Sequence, residues 1–394
     1  MIGVYAHHHG SGHIQRALAV AAEIRDEVTI LTSAPISADA NPAPDRIRIV
    51  TLPLDHDGPG STAGSAESAP AGGPTGPAEP AAPREPTAGG RLHWAPLGQP
   101  GLRRRTALLA RWIDEAAPTV MWTDISVEVT LATRLTGTPV VTTVLPGRRD
   151  DPPHQLAHGV CSALVASWPR SVGAPVPAGA HRPLVPVGGI SRFARRRPDL
   201  SSRGRGRPRI LHLRGSGGTG GDTRWDAVRD ALGAIDWVTL GGPDGRWVAD
   251  PWDELCRADV VISAAGQSSI ADLAAADAFV VVAPEERPFD EQDATAEHLA
   301  RLGHCSVVGR DLSVGQLVRA VEEMLERSRS GDRVATGASA GMVGAAGTAG
   351  AAGGGSGGAG SGLREAWEVD GAAGRLASVL ASVSANSLTN GSAR

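Results

Sequence analysis

Lysine is absent from this 394-residue chain, and all 38 basic residues are arginine. Schiff-base chemistry and a P-loop lysine, which need a primary amine, are therefore excluded. With so much alanine, glycine and proline, the bias reflects coding composition rather than a designed surface. Cysteine is scarce. Cys161, Cys256 and Cys305 lie far apart without metal-ligand spacing, which suits reduced thiols in the cytosol. Neither charge dominates: 38 basic against 42 acidic residues leave a net charge of -4. That argues against a nucleic-acid binder working by electrostatics. No apolar run reaches the roughly 18 residues of a membrane-spanning helix. The chain opens on a strand pattern rather than a signal peptide, so a cytoplasmic location is expected.

The length allows two α/β domains with full cores. In the first half, residues 2–5 read as a strand, and Ile14, Ala17, Leu18, Ala21 and Ile24 recur at helical spacing. Between them lies the loop of His7, His8, His9, Gly10, Ser11, Gly12 and His13. Its glycines permit a tight strand-to-helix turn with exposed amides. The Gly10-x-Gly12 spacing suggests a dinucleotide fingerprint, but the third glycine position holds Gln15. Three consecutive histidines rarely point the same way, and no carboxylate or cysteine completes a set, so no metal is expected there. A purely structural His13 stays open. Residues 28–32 and 47–52 read as further strands.

From about residue 55 to 90 the chain is glycine, proline, alanine, serine and threonine without periodicity, which reads as a disordered insertion. Residues 97–117 then read as a helix with Arg103, Arg104 and Arg105 near its start. A solvated arginine cluster on a helix covering the sheet is one reading; weak peripheral contact with an anionic membrane is the other. Residues 119–123 form a strand pattern ending at Asp124, followed by a helix over 127–135 and a strand over 139–144. Asp124 thus lies on the carboxyl rim of a parallel sheet, where open α/β folds bind ligands. Capping of the next helix is the alternative role. Residues 160–167 and 184–187 read as the last strands of a domain spanning 1–187. A hinge and linker over 188–209 follows.

The second domain, 210–333, opens on a strand at 210–213. A glycine-rich loop containing Gly215, Ser216 and Gly217 follows, of a kind that approaches a diphosphate without side-chain clash. Its organising stretch runs from the β-branched 260–262 through Gly266, Ser268, Ser269 and Asp272 to a second strand ending at Pro284, then Glu291 and Gln292. Ser268 or Ser269 can cap the helix that begins there. Amides at such a helix start attract phosphate. Asp272, one turn inside, is placed to accept from a ribose, and Gln292 to read a sugar. Residues 334–362 read as a flexible glycine/alanine linker, and 363–394 as a helix and tail that crosses back or hangs loose.

This stretch resembles the donor motif of GT-B glycosyltransferases: His-x-Gly-x-x-Ser-x-x-Glu, then a proline, then Asp-Gln-x-x-Asn-Ala. The nearest resemblance is to family 28 and to the natural-product and glucuronosyl transferases. Gly266, Ser269, Pro284, Gln292 and Ala296 match, while Asp272 replaces the Glu, Glu291 the Asp and Thr295 the Asn; Ala264 stands where many members carry His or Arg. The first loop, through His13 and Arg16-Ala17-Leu18, is similar to the glycine-rich first loop of the same enzymes. The resemblance implies an α/β GT-B fold, two Rossmann-like domains facing a cleft. It implies an inverting glycosyltransferase that takes a nucleotide diphosphate sugar, first a UDP-sugar, without cofactor or catalytic metal. It further implies His13 as general base with Asp124 its partner; Gly10, Ser11 and Gly12 on the acceptor side; and Gly215, Ser216, Gly217, Gly266, Ser268, Ser269, Asp272, Glu291 and Gln292 on the donor side. The acceptor is a small-molecule or lipid-linked hydroxyl. A sugar-nucleotide epimerase on the same fold, or a non-catalytic nucleotide-sugar-binding protein, remains an alternative.

Overall fold

Short apolar runs become buried parallel strands because both sheet faces are covered by helices. A computed structural model describes residues 1–8, 10–37, 40–55, 83–215, 223–242, 245–333 and 362–391. The first half contains β1 (Ile2–Ala6), α1 (Ser11–Glu23), β2 (Val28–Thr32), β3 (Ile47–Thr51), α2 (Pro100–Ala116), β4 (Val120–Asp124), α3 (Val127–Leu135), β5 (Val140–Val144), α4 (Pro152–Val160), β6 (Ala163–Ala166) and β7 (Leu184–Pro186). The second contains β8 (Arg209–Leu213), α5 (Arg224–Leu232), β9 (Asp236–Leu240), α6 (Trp252–Arg257), β10 (Val260–Ser263), α7 (Gln267–Ala275), β11 (Val280–Val282), α8 (Glu291–Leu302), β12 (Cys305–Val307), α9 (Val314–Ser330), α10 (Leu363–Ala366) and α11 (Ala372–Gly391).

Two parallel sheets result, with strand orders β3-β2-β1-β4-β5-β6-β7 and β12-β11-β10-β8-β9 among the described residues. In the first sheet the order reverses between β1 and β4, and Ala6 pairs with Asp124 at their carboxyl ends. In the second it reverses between β8 and β10, where Leu213 pairs with Ser263. Each reversal opens a crevice beyond the strand ends, because the flanking connections leave in opposite directions. Both crevices face the same cleft. The α/β expectation of two Rossmann-like domains therefore holds.

The join between the domains is packed rather than loose. Gly188 and Gly189 donate to the carbonyls of Trp168 and Trp367 at 2.9 Å each. A Cβ on Gly189 would lie 2.1 Å from Trp367 Cδ1, so only glycine lets the indole seat there. The expected linker over 188–209 is anchored by Arg203, which donates to the Leu255 and Cys256 carbonyls at the end of α6 and to those of Ala276 and Asp277 after α7. Those carbonyls lack intrahelical partners, which is why a guanidinium suits the site. Burial pulls Arg203 down to about 10.

The C-terminal segment crosses back over the first domain. Ala372, Ala373, Leu376 and Leu380 of α11 join Ile14, Leu18 and Ala21 of α1 in the core over β1 and β4. Trp367 is fully buried.

Several local expectations change. Within 55–90, residues 56–82 lie outside the described residues, as does 334–361. Residues 83–90 do not behave as part of a featureless insertion: they turn, and Arg84 bridges antiparallel to Leu97. Leu97 therefore precedes α2 instead of opening it. Arg105 is not part of a solvated cluster; its guanidinium is buried against Tyr5, Ser33 and the Pro53 carbonyl, while Arg103 and Arg104 are exposed. Val160 ends α4 rather than starting a strand: Pro152 and Pro153 open a helix that runs to it.

Candidate active site

α1 begins at the turn where Gly10, at φ +76°, provides a left-handed backbone that other residues adopt only with strain. His13 is the third residue of α1, and Arg16 follows one turn later on the same face. Directly opposite, β4 delivers Asp124 with no solvent exposure. His13 Nδ1 donates to Asp124 Oδ2 at 2.8 Å; Arg16 Nε and Nη2 donate to the same oxygen at 3.2 and 3.1 Å. Asp124 Oδ1 is buried with no hydrogen-bond partner among the described residues.

Burial alone would raise the Asp124 carboxyl, but the Arg16 charge, with the bonds from His13 and Arg16, holds it at about 2. Asp124 is thus a carboxylate at any working pH. Since Nδ1–H points to it, Nε2 is the ring nitrogen left to the cleft. Arg16 Nη2, 3.2 Å from Nδ1, is a donor beside a donor, and its role is directed at Asp124. Capping does not compete for Asp124, because Ser126 caps α3 by accepting from Val129 N–H at 3.3 Å. In the sequence, the signal that Arg16 shares this site is its spacing of three from His13 on α1.

The cleft, about 360 Å³, is lined from both domains. Gly10, Ser11, Gly12 and His13 line one wall, and Gly215, Gly266, Ser268, Ser269, Asp272, Glu291 and Gln292 the other. Ser216 and Gly217 lie outside the described residues. The start of α1 meets the start of α7: a Cβ on Gly12 would lie 2.6 Å from Ser268 Oγ. Neither Ser268 nor Ser269 caps α7; Gly266 holds the cap position, and among the described residues no side-chain cap bond is made. Its leading amides are therefore left for another acceptor, and two helix N-termini converge on one space.

The remaining predicted donor residues are already engaged. Gln292 Oε1 accepts from Ala265 N–H at 3.2 Å and Glu285 N–H at 2.8 Å, tying the loops after β10 and β11 together. Its Nε2 is the end outside that clamp. Glu291 pairs with Arg149 of the first domain at 3.3 Å. Thr295, in place of the family Asn, is buried and donates to the Glu291 carbonyl at 3.0 Å. Asp272 accepts from Ser191 Oγ at 2.6 Å and Arg192 Nε at 3.1 Å, so it bonds the hinge. Burial pushes its carboxyl up against the pull of Arg192 and Ser191. Arg192 and Arg149 were not among the expected site residues, because a sequence does not show which arginine reaches across a domain interface.

Residues 253–344 match the glycosyltransferase family 28 C-terminal domain. No curated protein matches the sequence significantly. Among solved structures, Acinetobacter baumannii MurG is 17% identical with a TM-score of 0.51, the match covering 84% of this chain and 94% of that one. A glycotransferase of kitacinnamycin is 15% identical with a TM-score of 0.57, covering 97% and 98% of the two chains. A UDP-glucosyltransferase from Polygonum tinctorium, in complex with 3,4-dichloroaniline, is 12% identical with a TM-score of 0.57, again covering 97% and 98%. The described helices include none long and apolar enough to cross a membrane. Along its length the chain has the GT-B fold, two facing Rossmann-like domains, and its second half contains the match to the glycosyltransferase family 28 C-terminal domain.

Proposed function

We propose that this protein transfers a sugar from a UDP-sugar to a hydroxyl acceptor with inversion, using His13 as general base. The observation that carries the reading is the 2.8 Å bond from His13 Nδ1 to a buried, ionised Asp124 at the edge of the interdomain cleft. An alcohol is a weak nucleophile until a base takes its proton during attack. Nε2 of His13 receives that proton as the acceptor oxygen bonds to the anomeric carbon and the diphosphate leaves. Asp124 keeps the ring in the required tautomer and stabilises the imidazolium as it forms. Arg16 makes a carboxylate tolerable at a site without solvent, since an unpaired buried charge costs several kcal/mol, of order 3–5.

On the donor side, the amide-lined start of α7 offsets the growing charge on the diphosphate, which needs no catalytic metal. Asp272 has acceptor capacity beyond its bonds to Ser191 and Arg192, because a carboxylate offers about four lone-pair sites. It reads the ribose while still holding the hinge, so donor binding and domain orientation are linked through one side chain. Gln292 turns Nε2 to the hexose. The likeness to a UDP-glucosyltransferase fold supports uridine as the base. The acceptor is a small-molecule or lipid-linked hydroxyl entering beside Gly10, Ser11 and Gly12.

The test is incubation with a panel of nucleotide sugars and hydroxyl acceptors, following nucleotide release and the anomeric configuration of the product. Acceptor-dependent UDP release with an inverted product is expected. Release of nucleotide as an epimerised free sugar forms, or binding without turnover across the panel, would refute the transfer reading.

A further inference from the structure

A second constellation lies apart from His13 and Asp124, where the residues just before α2 meet the start of α4. His93 Nε2 lies 2.8 Å from Asp151 Oδ2, and His154 Nδ1 bonds Asp151 Oδ1. One atom from each of the three residues falls within 4.8 Å of the others. We propose that His93, Asp151 and His154 bind a divalent transition-metal ion, with Zn²⁺ the best fit to two imidazoles and a carboxylate.

Asp151 occupies the N-cap position of α4, where an aspartate ordinarily accepts from the first-turn amides. It makes no such bond. Both its oxygens are turned to the two histidines; with Pro152 and Pro153 at the first two helical positions, the His154 N–H is the one first-turn amide a cap could have taken. The loop that presents His93 is fixed independently: the His93 and Trp94 amides donate to Glu128 Oε1 at 2.8 and 3.0 Å. His93 is therefore delivered by an anchored backbone, as a ligand must be if the metal is not to meet the whole ordering cost.

Donors around a tetrahedral Zn²⁺ at about 2.0–2.1 Å stand about 3.3–3.5 Å apart, so side-chain rotation closes the present spacing. Each imidazole then presents a lone pair where it now carries a proton, which moves to the ring's other nitrogen; no net proton is released. Three protein ligands leave a fourth position for water. The ion enters from a cavity of about 190 Å³ that the two histidines line. Arg149, the nearby cation, is offset by Glu291 at 3.3 Å. His158 faces the cluster with its ring 5.8 Å from that of His154, and donates Nδ1–H to the Ala178 carbonyl at 3.1 Å.

The ion would be structural for the acceptor side. Phe289, from the second domain, packs against both rings, tilted to His93 at 5.5 Å and perpendicular to His154 at 4.9 Å between centroids. The same cavity reaches His7, whose ring centre is 5.9 Å from that of His13. A metal here would pin the His93 segment to α4 and set one wall beside the general base.

The test uses the full chain, stripped with a chelator and titrated with Zn²⁺ by calorimetry, with Co²⁺ absorption as a second readout. One equivalent of Zn²⁺ should bind and raise the thermal unfolding midpoint, since a ligand bound only by the folded state stabilises it. Both effects should vanish in His93→Ala and in Asp151→Asn and persist in His7→Ala. The backbone anchor at Glu128 remains in His93→Ala, so that variant should fold, as far-UV circular dichroism will report. No stoichiometric binding to the unaltered chain overturns the proposal. So does undiminished binding in His93→Ala, or loss in His7→Ala alone, which would place the ion in the first-loop histidine run.

Discussion

Replacing Asp124 by Asn removes one charge from a site with no water to compensate. Asp124 is 0% and Arg16 4% exposed. The amide oxygen can take the place of Oδ2 and keep the bonds from His13 and Arg16. Its NH₂ then stands where Oδ1 lies, in a buried position. Two routes bound the cost. A carboxyl held at about 2 rather than at 3.8 contributes roughly 2–3 kcal/mol of stability at neutral pH. Breaking a buried ion pair outright costs about 3–5 kcal/mol. The first figure applies better, because Asn, like a protonated Asp, still accepts from Arg16. The sign follows from the lowered value: this stability is present above the unfolded-state value and is lost as pH falls toward the folded-state value. Urea unfolding followed by circular dichroism should thus place Asp124→Asn about 2–3 kcal/mol below the unaltered protein at pH 7. The gap should close between about pH 4 and pH 2. Equal stability at neutral pH, or a gap that does not change on acidification, would refute the electrostatic account of this site.

His13→Ala should lose turnover by roughly 10²–10⁴-fold, while donor affinity, measured by calorimetry with UDP, stays near the original because the donor wall belongs to the other domain; a defect confined to donor binding would reject the assignment. Asp124→Asn should lose less turnover than His13→Ala, since the base remains and only its imidazolium is poorly stabilised. Asp272→Ala should weaken UDP binding and also loosen the Ser191 and Arg192 contacts, so the hinge should gain hydrogen exchange; unchanged affinity would remove Asp272 from the donor site. Gly189→Ala should destabilise by about 1–3 kcal/mol, because its methyl meets the Trp367 ring; a thermal midpoint unchanged from the original would show that the indole can move aside.

Local patterning carried the architecture. Residues 260–262 are all β-branched and residues 120–122 are all apolar, and in a parallel sheet covered on both faces such residues are driven inward wherever they occur. Glycine at position 10 marked the turn into α1 for a backbone reason, its φ of +76°. From strand-end positions alone, His13 and Asp124 could be placed on one rim, because a parallel sheet puts all strand carboxyl ends on the same side.

Pairings across long separations were beyond reach of such patterns. Asp151 and His93 are 58 residues apart, and nothing in spacing brings them together until α4 and the turn at Arg84 are packed. Family likeness named Asp272 and Gln292, yet not that Asp272 would hold Arg192 or that Gln292 would clamp two loops. The Arg103–Arg105 run shows the same limit within one helix. Composition treats its three guanidiniums alike, whereas the rotation of α2 on the sheet buries Arg105 against Tyr5 and leaves its neighbours in water. Secondary structure follows from hydrophobic periodicity because burial acts on each segment independently. Charge partners depend on how segments meet, and only the packed chain sets those distances.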